Sequence, residues 1–76
     1  MIELDPNYSI IEVPAAPVFF GKTLGEADIR GRYGATVIAI KGKGTVNIAP
    51  LSEDRIQEGD ILTVVGSNDR LQGLPR

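Results

Sequence analysis

Neither cysteine nor histidine occurs anywhere in this chain of 76 residues, and that double absence restricts what it can fold into more than any motif does. A domain of roughly 60 residues buries only about 60% of the surface its unfolded chain exposes, so its core is thin. Small folds usually compensate with disulfides, a bound metal or association with further chains. Without cysteine there is no disulfide and no thiolate metal site. Without histidine the commonest general base, metal ligand and neutral-pH switch are missing as well. Association remains, and a homodimer is expected on this ground alone. The net charge of −2 and the scattered lysines and arginines leave no nucleic-acid footprint. No apolar run approaches the roughly 20 residues needed to span a bilayer, and no signal-peptide pattern opens the chain, so direct membrane insertion is not expected and the cytosol is the default compartment.

Residues 1–9, MIELDPNYS, contain a Pro-Asn pair and read as a lead-in or linker before a single domain over residues 10–76. Ile10 to Ala15 reads as a short strand, cut off by Pro14 and Pro17 because proline cannot donate to a ladder. Thr23 followed by Glu26 has capping-box spacing. Leu24, Ala27, Ile29 and Tyr33 then give an apolar side to one helix of about ten residues, with Glu26, Asp28, Arg30 and Arg32 facing water. Gly25 and Gly31 weaken that helix, and Gly34 suits a left-handed C-terminal cap. Ala35 to Lys41, ATVIAIK, is dense in β-branched and small apolar residues and predicts a strand buried on both faces. The triplet Gly-Lys-Gly is turn chemistry, and Thr45 to Pro50 returns as the second arm of a hairpin. Ile56 is the inward contact of a polar, turn-rich stretch, Ile61 to Gly66 is a further strand, and Ser67 or Asn68 can cap a last helical turn ending near Gly73. The predicted class is α+β, a small sandwich of short β-strands with a hairpin and one main helix.

No catalytic constellation emerges. Ser9, Ser52 and Ser67 have no partner base, and SEDRIQEGD lacks the calcium-loop pattern and carries Arg55 in its middle. Gly21-Lys22-Thr23 lacks the earlier glycine of a phosphate loop, since Ala16 stands there. The chain is expected not to be an enzyme. The segment KGKGTVNIAP, residues 41–50, has two readings. It is a hairpin whose lysines keep an exposed edge soluble. It is also a set of groups suited to a nucleotide. Lys41 and Lys43 supply positive charge for phosphate, glycines let backbone N–H groups approach an anion, and Asn47 can pair with an adenine edge. Ile48, Ala49 and Pro50 form an apolar shelf for a base.

The order of IIEVPA, GKTLGEADIRGRYGATVIAIK, VNIAP and IQEGDILTVVGSNDRL resembles the C-terminal domain of regulator-of-potassium-conductance proteins, also called the TrkA C-terminal domain, from Ile10 to Leu71. The resemblance implies a dimeric, non-enzymatic ligand sensor in the cytoplasm. Such a sensor is peripheral to a membrane transporter and regulates a bacterial potassium channel, uptake system or cation antiporter through a parent chain. It further implies cyclic di-AMP as the small nucleotide held between two copies. Carried onto this sequence, the ligand contacts fall on Val37 and Ile38 of the apolar strand, on Asn47, Ile48, Ala49 and Pro50, and on Lys41 or Lys43 at a basic position where arginine holds the ligand best. Lysine lacks the planar bidentate contact to phosphate. The competing expectation, from a different class, is a ligand-free structural dimerisation module of a transporter subunit.

Overall fold

The computed structural model describes residues 1–76. Five strands form one antiparallel sheet in the order β1-β2-β5-β3-β4. They are β1 (Ile2–Asp5), β2 (Tyr8–Pro14), β3 (Thr36–Gly42), β4 (Thr45–Ile48) and β5 (Ile61–Ser67). Helices α1 (Leu24–Ala27), α2 (Ile29–Tyr33) and α3 (Asn68–Gln72), with a 3-10 turn at Pro17–Phe19, complete the fold.

The core follows from register. Val13, Leu62 and Ile40 align across the three central strands, and Ile11, Val64 and Val37 form the next row. Side chains alternate along a strand, so both rows present one face. That face packs with Phe19, Ala27, Ile29, Ile56, Leu71 and Leu74 from the helices and loops. Phe19 and Tyr33 meet edge to face, with ring centroids 6.1 Å apart.

Strand β3 is not buried on both faces as expected. Thr36 is exposed and Val37 and Ile38 are half-buried; only Ala39 and Ile40 are buried. The sequence fails to alternate because the register shifts between Val37 and Ala39. A bulge inserts one extra residue, which lets Val37 and Ile40, three positions apart, share the core face. The expected lead-in is likewise structured: Ile2 pairs with Ile10 and Glu3 with Ser9, so residues 2–5 form an edge strand on β2. Asp5 Oδ1 accepts the Asn7 N–H at 2.8 Å and closes the turn. Asn68 fastens that hairpin to α3, with its N–H on the Asn7 carbonyl and its Oδ1 accepting the buried Ser9 hydroxyl at 2.7 Å.

The helical segment over 24–33 lies where the capping box and Gly34 place it, but it is jointed. Thr23 Oγ1 accepts the Glu26 N–H at 3.0 Å and Glu26 Oε1 accepts the Thr23 N–H at 2.8 Å. Asp28 then adopts a left-handed conformation (φ 47°), ending α1 and capping α2 through the Gly31 N–H. A Cβ on Gly31 would come within 2.5 Å of the Asp28 carboxylate. Gly31 is therefore part of the joint and not merely a weak point in a helix. Gly34 closes α2 at φ 69°.

Candidate nucleotide site

Strands β3 and β4 are joined by Lys43 and Gly44, both with positive φ, 51° and 77°. Positive φ at both central residues of a two-residue loop is the type I′ signature, whose twist matches that of the flanking strands. Gly42 precedes the loop because a Cβ there would overlap the Asp60 carboxylate, 2.1 Å away. Thr45 donates its hydroxyl to the Gly42 carbonyl at 2.7 Å. The hairpin thus has a defined shape, and it leaves all four residues of β4 exposed at the sheet edge.

The hairpin register divides the expected site residues. Asn47 pairs with Ile40, a core-facing residue, while Lys41 pairs with Val46 and Ile48 with Ala39. Asn47 therefore shares the helix side of the sheet, and Lys41 and Ile48 the opposite side. Lys41 is ion-paired there with Glu12 across β5, and its ammonium, as hydrogen-bond donor and then as charge, holds the Glu12 carboxyl below its ordinary range. Asn47 and Lys41 are thus separated by the sheet. Lys43 and Asn47 instead line one groove of about 220 Å3 together with Thr45, Arg55 and Gln57. Val37 and Pro50 line a second, of about 290 Å3, with Leu24, Asp28, Ile29 and Arg30. Ile38 lies at the bulge, where its carbonyl accepts the Ala49 N–H at 2.9 Å. Ala49 is left-handed (φ 54°), and Ile48 is 70% exposed.

Two residues absent from the sequence expectations enter this geometry. Arg55 lines the groove beside Lys43 and Asn47, with Nη1 donating to the Gly21 carbonyl at 2.7 Å and lying 3.7 Å from Glu26. Asp54 accepts the Asn47 side-chain N–H at 2.9 Å and the Leu51 backbone N–H at 2.8 Å on one oxygen. Those two bonds, the first above all, hold the Asp54 carboxyl below its ordinary value. Nothing in the local sequence marks either residue, because seven positions and a turn separate Asn47 from Asp54. No three acidic side chains converge on a metal position, and no helix is long and apolar enough to cross a membrane.

The TrkA-C domain model matches residues 8–74. Ktr system potassium uptake protein C of Bacillus subtilis (strain 168) is 39% identical over 66 residues, which cover 87% of this chain and 30% of that protein. The chain thus spans less than a third of that relative's length. Among solved structures, the regulator-of-conductance C domain of the potassium transport protein KtrA, in complex with cyclic di-AMP, superposes with a TM-score of 0.81 at 33% identity, covering 87% of this chain and 78% of that one. The RCK_C domain dimer of Streptococcus agalactiae BusR, also in complex with cyclic di-AMP, gives 0.72 at 29% identity over 87% of this chain and 82% of that one.

Proposed function

Because the chain belongs to the TrkA-C domain family, we propose that it is a regulatory domain of a bacterial potassium or cation transport system that senses cyclic di-AMP between two copies of itself. The observation that carries this reading is the whole-domain likeness to a KtrA domain in complex with that ligand. The ligand has a twofold axis, two adenines and two phosphates, and an isologous dimer offers one patch twice. In each copy Asn47 takes an adenine edge and Lys43 a phosphate, with Val37, Ile38, Ala49 and Pro50 as the apolar surround, while Ile48 lies on the opposite side of the sheet. Lys41, paired with Glu12 on the opposite side of the sheet, stands outside this set. Arg55, in the groove with Lys43, is the arginine available for a planar contact with phosphate. The domain acts by binding: ligand shifts the transporter's equilibrium to the extent that it prefers one dimer geometry. The parent chain keeps the domain on the cytoplasmic side of its membrane partner.

Calorimetric titration of the purified chain with cyclic di-AMP, with ATP and cyclic di-GMP as controls, tests this. Saturable binding at one ligand per two chains is expected, weakened on the order of 10-fold or more by Asn47→Ala and by Lys43→Ala. No binding heat up to high micromolar ligand leaves a ligand-free dimerisation module instead.

A further inference from the structure

The Asn47 carboxamide is not free to choose its orientation. A carboxylate is acceptor-only and an amide carries donors on nitrogen alone. The 2.9 Å contact with Asp54 Oδ2 therefore has to be made by Asn47 Nδ2, which turns Oδ1 away from Asp54. Asp54 is itself rigidly placed. Its carbonyl accepts the Leu24 N–H at 2.9 Å at the start of α1, its N–H donates to the Leu51 carbonyl at 3.0 Å, and the next residue, Arg55, bridges to Thr23. The same carboxylate oxygen accepts the Leu51 N–H, closing the loop from Asn47 to Asp54. A side chain locked by a second, backbone-anchored group presents one fixed pattern to a ligand.

We propose that Asp54 is a positioning residue that sets base preference: by holding Nδ2 it commits Asn47 Oδ1 to a donor on the ligand, the 6-amino group of adenine. This rests on the assignment of Asn47 to a base edge made above. A purine with a 6-oxo group puts an acceptor where Oδ1 already points. Rotating the carboxamide lets Nδ2 donate to that oxygen but turns Oδ1 onto Asp54 Oδ2, leaving two acceptors facing each other without a proton between them. Discrimination by such a paired edge is on the order of 10- to 100-fold per base.

The test is a titration of the full chain with cyclic di-AMP and with cyclic di-IMP, whose hypoxanthine bases carry the 6-oxo group, for the unaltered protein, Asp54→Ala and Asp54→Asn. The unaltered protein is expected to favour cyclic di-AMP by at least about 10-fold. In Asp54→Ala, Asn47 rotates freely and the ratio falls toward one. Asp54→Asn keeps the preference, because its amide oxygen accepts from both Asn47 and Leu51. Where Asp54→Ala fails to fold by circular dichroism, Asp54→Ser takes its place: the hydroxyl closes the turn at Leu51 and is too short to hold Asn47. Parallel loss of both affinities with an unchanged ratio overturns the proposal and makes Asp54 a loop support only, the sensor reading standing. An unaltered protein that binds neither ligand overturns both.

Discussion

Lys43 occupies a position that hairpin chemistry assigns to other residues. At φ 51° it takes the first central place of a type I′ turn, where asparagine, aspartate and glycine are favoured because a longer side chain strains the left-handed backbone. Ala49, also left-handed at φ 54°, is a second such position within the same ten residues. Strained residues that persist together mark places where the surroundings over-determine the backbone, and such places cluster at ligand sites. Lys43→Asn separates the two demands. It is expected to stabilise the chain by about 0.5 kcal/mol in urea unfolding while weakening cyclic di-AMP binding on the order of 10-fold. A variant that gains stability and keeps its affinity removes Lys43 from the site. The sequence made the turn legible, since Lys43-Gly44 lies between two β-branched runs. It could not show that Lys41 and Lys43 point to different partners. That depends on hairpin register, and on a glutamate 29 positions earlier (41 − 12) that register brings beside Lys41.

At the level of elements, local signals were legible and joints were not. The Thr23–Glu26 box, the Gly34 cap and the Ser67 cap all form as their spacing requires, because each is decided within three or four residues. Strand β1 was hidden by Pro6 and Asn7, which read as linker chemistry and are in fact the turn of its hairpin. The joint at Asp28 was hidden because an aspartate on a helix face reads as solvated, and only its backbone reveals the break. Capping also makes a prediction about pH. The Thr23 backbone N–H and then its hydroxyl lower the Glu26 pKa, as Lys41 lowers that of Glu12 and Asn47 that of Asp54. Each folded pKa lies below its unfolded value, so each contribution is complete above the ordinary 4.5 of Glu and 3.8 of Asp. It is lost as pH falls through the lowered folded values. With no histidine, no side chain has an ordinary pKa between 5 and 8. The urea midpoint is therefore expected to hold level from about pH 8 to about pH 5.5 and to fall below about pH 4.5. Glu26→Gln, which keeps the reciprocal cap without a charge, is expected to make that fall shallower. A midpoint that moves between pH 6 and 8 contradicts the assignment.

The whole molecule is short of interior. Only 16 of its 76 residues are buried, five of the 14 apolar ones being alanines. Ile2, Leu4, Val46, Ile48 and Leu51 remain more than half exposed on a single chain. Stability must then depend strongly on what binds the folded form. A ligand present at 100 times its Kd adds about 2.7 kcal/mol, and 1 kcal/mol moves the melting temperature of a domain this size by roughly 4–8 °C. Saturating cyclic di-AMP is therefore expected to raise Tm by about 10 °C or more in a scanning fluorimetry series. Because two chains share each ligand, the rise is also expected to depend on protein concentration. Asn47→Ala, which removes an exposed side chain at the sheet edge, is expected to melt near the unaltered protein without ligand and to lose most of the ligand-induced rise. Equal rises in the two proteins place the ligand away from Asn47. No rise in either, with a Tm that still increases with protein concentration, leaves the chain a dimer stabilised by its own exposed apolar residues alone.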